Sequence, residues 1–204
     1  MEGVAAPLPA ANIDTDVIMP KIFLKGVDRQ GLDGGVFHDL RFTPGGQERP
    51  EFILNQAPWR DAAFLVVGPN FGCGSSREHA VWGLRQLGVR ALVGSSFAGI
   101  FFDNCARNGL LALTLPVDQV MRIAALVSDP TQNRMAIDLP AQILTTSAGP
   151  LSFEIDPLLK AMLVEGLDPV GVTLKDRELI AGFEEQHFAA APWLRAKGRA
   201  ELRT

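Results

Sequence analysis

The chain has 204 residues, 47% hydrophobic and 21% charged, with a formal net charge of -4 at pH 7. These values are those of an ordinary globular protein with one substantial core, and the mixing of charges along the chain disfavours a nucleic-acid-binding surface. No apolar run approaches the roughly 20 residues of a membrane span, and the N-terminus lacks the pattern of a secretory leader, so we expect a cytoplasmic protein that binds neither membranes nor nucleic acids.

The chain contains two cysteines, Cys73 and Cys105. Two are too few for a disulfide framework, and no CxxC spacing predicts a zinc or iron–sulfur site held by this chain alone, so we expect no metal site here. Both are predicted to be small packing residues, because free cysteines are usually buried. For Cys73, a reactive thiol with His79 as its base stays an alternative.

In chain order, a short strand predicted over 4–8 precedes the polar segment Asn12–Asp16. Its Asn, Asp and Thr residues are turn and cap formers, and Pro20 then favours a short helix that reaches Leu24. The two close acids are suited to binding a cation or positioning a base, and an Asx-turn explains them equally well. Residues 27–59 show no sustained period and predict a long irregular excursion packed by its aromatic residues.

Regular structure is predicted from Ala63 onward. Apolar strands over 63–67, from 91 and from 110 alternate with helices over 76–87 and 97–107, which predicts a βαβαβ core with three parallel strands. A helix after Pro116, three short strands of a β meander, a helix near Asp156 and a longer helix from Thr173 complete the pattern. We expect a single domain over 1–188 and a partly disordered tail over 189–204.

The glycine-rich loop NFGCGSSREHA, residues 70–80, follows the first of these parallel strands. Gly72 and Gly74 let backbone N–H groups approach a ligand, and the N-terminus of the following helix adds partial positive charge. Arg77, in the first turn of the predicted helix, supplies a planar fork suited to a carboxylate. The loop therefore predicts an anion-binding site at the carboxyl edge of the sheet.

Three other interpretations of this loop have weaker support. A dinucleotide site lacks its third glycine, which is replaced by Arg77, and the second strand ends in Ser95 and Ser96 without an acid for a ribose. A nucleophilic hydrolase lacks the G-x-S-x-G elbow and an acid to orient His79. Simple capping by Ser75 explains a helix start, but it does not explain Arg77 beside two hydroxyls.

Four segments of the chain are distinctive. In order they are NIDTDVIMPKIFLK, NFGCGSSREHA, GSSFAGIFFDNCARNGLL and GLDPVGVTLKDRELIAGFE. Together they resemble the small subunit of 3-isopropylmalate dehydratases, the swivelling domain of the aconitase superfamily. Their order and spacing resemble that subunit over most of residues 1–188. The resemblance implies an α/β fold, a swivelling β/β/α domain with a parallel βαβαβ core and a small additional β meander.

The resemblance implies a hydro-lyase subunit of leucine biosynthesis that isomerises 2-isopropylmalate to 3-isopropylmalate through isopropylmaleate. It implies that the chain is active only with a large subunit, which holds a [4Fe-4S] cluster, while this chain binds no cofactor. By resemblance, Ser75 is the base that removes a proton from carbon. Ser76 and Arg77 then bind a carboxylate of the dicarboxylate substrate, with Gly72 and Gly74 giving backbone access.

Other residues are assigned more loosely by the same resemblance. Leu24 lies in the loop that touches the variable group of the substrate, where it offers an apolar surface to isopropyl, and Thr15 and Asp16 are expected to support the site. A homoaconitase-type subunit with a tricarboxylate substrate stays open because of three flanking cations. They are Lys21, Lys25 and Arg29. A non-catalytic binding module of the same fold is the remaining alternative, which the intact GSSRE motif disfavours.

Overall fold

The computed structural model describes residues 1–24 and 30–195. The chain divides into two compact units, Met1–Gly166 and Leu167–Thr204, and each is treated by itself below. The single domain expected over 1–188 stays a prediction. No helix in the described part of the chain is long and apolar enough to cross a membrane.

The first unit is built on one mixed seven-stranded sheet with the order β4-β3-β2-β1-β5-β6-β7. Its strands are β1 (Glu2–Leu8), β2 (Phe64–Val67), β3 (Ala91–Gly94), β4 (Leu111–Thr114), β5 (Arg134–Asp138), β6 (Ile143–Thr146) and β7 (Gly149–Ser152). Strands β1 to β4 are parallel, whereas β5, β6 and β7 form an antiparallel meander. The predicted parallel core and meander are therefore confirmed.

Strand β1 has a larger role than its sequence indicates. It pairs in parallel with β2, from Ala5 opposite Phe64 to Leu8 opposite Val67. Through its first residues it also pairs antiparallel with β5, with Glu2 opposite Ala136. The meander thus continues the same sheet, and β1 joins its two halves.

Successive residues of a strand point to opposite faces of the sheet. Both faces of the parallel strands are therefore apolar, and helices cover both. The helices of the first unit are α1 (Thr15–Ile18), α2 (His38–Arg41), α3 (Glu78–Gln86), α4 (Gly99–Arg107), α5 (Val117–Val127) and α6 (Pro157–Glu165). Leu65 and Leu92 pack with residues of α3 and α4 in one core. Val66 and Val93 pack with α5 in the other. The carboxyl ends of the parallel strands are not covered by these helices and are followed by loops.

The irregular excursion is confirmed for its described residues, which contain only short helices between Asp33 and Asn55. Aromatic residues anchor it as predicted: Phe37 is fully buried, and Trp59 donates from Nε1 to Val127 O at 2.9 Å. His38 lies between the rings of Phe23 and Phe42, with centroids 4.9 and 5.2 Å away. It is a packing residue.

In the second unit the long helix predicted from Thr173 is wrong in its bounds. The structure has two helices, α7 (Pro169–Leu174) and α8 (Arg177–Ala190), followed by a 3-10 helix over Pro192–Leu194. Asp168 caps α7 by accepting from Gly171 N at 2.6 Å, and Pro169 sits at the start of the helix. The same Asp-Pro start signal precedes α6 at Asp156-Pro157, so the local sequence does mark the beginning of α7.

Candidate active site

Three loops that follow neighbouring parallel strands meet at the carboxyl edge of the sheet. The polar segment 12–16 follows β1, the glycine loop 70–77 follows β2, and residues 95–98 follow β3. Backbone hydrogen bonds join the glycine loop to both neighbours. Parallel order therefore brings together segments that are far apart in the chain.

Several hydrogen bonds join the first loop, residues 12–16, to the glycine loop. Ile13 O accepts from Gly72 N and Cys73 O accepts from Thr15 N, each at 2.8 Å. The buried Thr15 hydroxyl then donates to Ser75 O at 2.8 Å. Because the carbonyl of Ser75 is fixed in this way, Thr15 positions the backbone that carries the two serines.

On the other side, the loop after β3 secures the start of the glycine loop. Asn70 N donates to Ser96 Oγ at 2.9 Å, and Ala98 N donates to Phe71 O at 3.0 Å. The Asn70 side chain also donates to Asn12 Oδ1 at 2.8 Å. Sequence reasoning did not assign these three polar residues to the site, although an Asn or Ser shortly after each strand was a usable signal.

Arg77 and Asp16 form an ion pair between the first two loops, through Nη1 and Oδ1. The Arg77 side chain is only 9% exposed, whereas that of Asp16 is 45% exposed. Nη1 has no partner of hydrogen-bond geometry among the described residues, so the contact is an ion pair rather than an aligned hydrogen bond. Asp16 thus supplies a negative charge that compensates the nearly buried Arg77 guanidinium.

The ion pair also shifts the titration of its acid. The adjacent Arg77 guanidinium lowers the pKa of the Asp16 carboxyl below its ordinary value, with a smaller contribution from Lys21. Asp14 Oδ1 accepts from Val17 N at 2.8 Å and so caps α1, which is a structural role for one of the two acids. This cap places Asp16 in the first turn of α1, on the side of the glycine loop.

The predicted start of α3 is wrong by two residues. Arg77 is the N-cap residue with an extended backbone at φ -131°, and no side chain caps the helix. Capping by Ser75, considered above, is therefore absent, and Glu78 Oε1 accepts from Asn108 Nδ2 at 2.7 Å. Asn108 lies at the end of α4, so this contact follows from packing of α3 on α4 and not from local sequence. The N-terminus of α3 is left without a side-chain acceptor.

The two glycines differ in what they do. Gly72 has φ +76°, its N–H donates to Ile13 O, and a Cβ at this position would lie 2.2 Å from the Phe101 ring. It is needed for close packing, and its amide is not free for a ligand. Gly74, with φ +91°, is exposed together with Ser75 and Ser76. Between Phe71 and Arg77, the exposed residues are therefore Gly74, Ser75 and Ser76.

The remaining predicted site residues lie at the margin. Leu24 ends the 3-10 helix Lys21–Leu24 and is partly buried against the core. Lys25 and Arg29 lie outside the described residues. The His79 ring packs on Trp82 with centroids 4.7 Å apart, and Cys73 is half-buried.

Among the residues that the structure describes, the potential metal ligands do not form a metal site. Cys105 is buried in α4, and burial raises the pKa of its thiol well above the usual value. Within residues 1–24 and 30–195, no group of three or more His, Cys, Asp or Glu side chains is arranged to hold a metal ion. These residues do not fit an iron–sulfur cluster.

Two family models match two separate segments of the chain. A model described as the aconitase C-terminal domain matches residues 1–118, and one described as the C-terminal domain of the 3-isopropylmalate dehydratase small subunit matches residues 170–197. Among solved structures, 3-isopropylmalate dehydratase from Methanocaldococcus jannaschii is 26% identical with a TM-score of 0.62. The match covers 90% of this chain and 98% of that one.

Curated relatives are similar in sequence to this chain over almost its full length. The 3-isopropylmalate dehydratase small subunit 1 of Mannheimia succiniciproducens is 59% identical, over 94% of this chain and 95% of its own. Small subunit 2 of Salmonella typhimurium is 54% identical, over 96% and 94%. On these findings the chain belongs to the family of 3-isopropylmalate dehydratase small subunits, with the swivelling fold of the aconitase C-terminal domain.

Proposed function

We propose that this chain, paired with a large subunit in the cytoplasm, interconverts 2-isopropylmalate and 3-isopropylmalate through isopropylmaleate. The observation that carries this proposal is the nearly buried Arg77 guanidinium held by Asp16 beside two exposed serines. Within the described part of the chain this cation has one acidic partner, Asp16, and Arg77 lies at the uncapped N-terminus of α3, so a second carboxylate would complete its surroundings. A dicarboxylate substrate supplies it.

Arg77 binds and orients the substrate in this proposal. Asp16 restrains the guanidinium through Nη1, which reduces the conformational entropy lost when a carboxylate binds. Ser76 adds a hydroxyl donor to the same carboxylate. Because the site is assembled before the substrate arrives, binding energy is used to align the reacting carbon.

Ser75 removes the proton from carbon. A serine hydroxyl is a weak base, so the site must favour its alkoxide form. The positive end of α3 and the Arg77 guanidinium both stabilise negative charge at this loop. The hydrogen bond from Thr15 to Ser75 O holds the backbone of the base in place.

Departure of the hydroxyl needs a Lewis acid, and the described residues of this chain form no metal site. We propose that the large subunit would hold a [4Fe-4S] cluster, which would supply Lewis-acid chemistry at that hydroxyl. This chain then contributes the base and the carboxylate site, and Leu24 offers an apolar contact to the isopropyl group. The active site is therefore shared between two chains.

The experiment is to measure isopropylmaleate formation from 3-isopropylmalate with the purified chain, with the cluster-loaded large subunit, and with both. We expect turnover only in the mixture. Ser75→Ala in the mixture is expected to lower kcat by about a thousandfold, because the base is lost. Turnover by this chain alone, or full activity of the Ser75 variant, would refute the proposal.

A further inference from the structure

The helices of the C-terminal unit bury none of their own residues. In α7, α8 and the 3-10 helix Pro192–Leu194, every residue keeps part of its surface in solvent. Helices of globular proteins normally bury one apolar stripe against a core. The described part of this unit, which ends at residue 195, leaves most of its large apolar side chains exposed instead.

These exposed side chains are large. More than half of each residue surface is accessible at Val170, Leu174, Leu179, Phe183, Trp193 and Leu194, and the value is 74% at Leu179 and 79% at Trp193. Monomeric proteins seldom expose so many large apolar groups in a short segment. This density is typical of an interaction surface.

Two of these exposed apolar residues lie on one face of α8. Leu179 and Phe183 are four residues apart and so lie on the same side of the helix, and the Phe183 ring stacks on His187 with centroids 5.4 Å apart. We call these three residues the α8 stripe. Exposed acids flank it, because Glu178 and Glu184 adjoin Leu179 and Phe183, whereas Glu185 lies on the opposite side of α8. The helix contains a single arginine, Arg177.

We infer that the α8 stripe docks on the large subunit, in an apolar groove flanked by basic side chains. This inference rests on the proposed function, which requires two chains that bind without a covalent link. The segment 170–197 is matched by a model named for the small subunit, separate from the aconitase model that matches 1–118. A segment particular to the separate subunit, with no core of its own, is suited to joining the two chains.

A second copy of this chain fits the surface less well. Two α8 stripes packed together would bring the acidic side chains of one helix beside those of the other. Like charges brought together in this way oppose association. A basic rim around an apolar groove is complementary to both the stripe and its acids.

The test is to titrate the full chain with the cluster-loaded large subunit, measuring the dissociation constant by calorimetry. The double variant Leu179→Ser and Phe183→Ser is expected to bind about tenfold or more weakly, because two central apolar anchors are lost. A second double variant, Glu178→Lys and Glu184→Lys, reverses the two acids that flank the stripe, keeps residues of high helix propensity and is also expected to weaken binding. Met121→Ser, on α5 with 67% exposure, is the matched control and should bind within about twofold of the native chain.

The outcomes separate the two proposals. Unchanged affinity in either double variant, with helix content retained by circular dichroism, overturns the docking inference. A free chain that dimerises through the stripe, while its affinity for the large subunit is insensitive to the substitutions, also overturns it. A complex that forms as expected but does not turn over 3-isopropylmalate refutes the proposed function and leaves the docking inference standing.

Discussion

Arg77 is nearly buried and has one charged partner, Asp16, in residues 1–24 and 30–195. The shape of its guanidinium therefore matters as much as its charge. Arg77→Lys keeps the charge but loses the planar fork that spans Asp16 and a carboxylate. We expect KM to rise about tenfold or more in the assembled enzyme. Arg85→Lys, an exposed substitution on the same helix, is the control, and its KM should not change. Equal KM values for the two variants would remove Arg77 from the substrate site.

The Asp16 carboxyl reports on the same pair through its titration. Its pKa lies below the ordinary 3.8 because of the adjacent guanidinium. The stabilisation from a lowered acid pKa is present at neutral pH and is lost as pH falls from about 3.8 through the folded-state value. A carboxyl NMR titration should therefore show Asp16 returning toward 3.8 in Arg77→Ala. Identical Asp16 titrations in both proteins would contradict the pairing.

At the scale of elements, the glycine loop is fixed to α4 by a contact that only glycine allows. A methyl at residue 72 meets the Phe101 ring at 2.2 Å and needs φ +76°. Gly72→Ala should lower the free energy of unfolding by about 3 kcal/mol, combining overpacking with backbone strain. Gly109→Ala, with φ +67° and no atom within 4 Å, isolates the strain and should cost about 1 kcal/mol. Chemical denaturation measures both, and equal losses would exclude the clash.

The same elements indicate what local sequence can predict. Strands β2, β3 and β4 are predictable because each is a short apolar run between turn residues, and both helices between them present an apolar face. The first residue of α3 is not predictable in this way. The residues at its start, Arg77 and Glu78, contact Asp16 and Asn108, which come from other parts of the chain. Ser75, Ser76 and Arg77 are recognisable from their motif, whereas the packing role of Gly72 needs the Phe101 ring.

For the whole molecule, the contrast between the two units predicts a contrast in amide exchange. Strands β2 and β3 are buried at every residue, whereas α7 and α8 bury none. In the free chain, amides of α8 should exchange several orders of magnitude faster than those of β2 and β3. Hydrogen-exchange mass spectrometry measures this directly, and comparable protection in both segments would contradict it.

The central place of β1 is the main feature that the sequence does not reveal. Residues 4–8 alone predict only a short strand, because neither the parallel partner β2 nor the antiparallel partner β5 is near in the chain. Pairing between distant segments leaves no local pattern to read. The meander is likewise predictable as strands, but its attachment to the same sheet is not.

Strand β1 also sets the order of events on the ribosome. It is synthesised before its partners β2 and β5, which become available only after residues 64–67 and 134–138 have emerged. Until then, one or both of its edges are unpaired, and unpaired edges promote association between nascent chains. Completion of the sheet is therefore a late, non-local step in biosynthesis, and pauses in translation between β2 and β5 would prolong the interval in which this protein is most prone to aggregate.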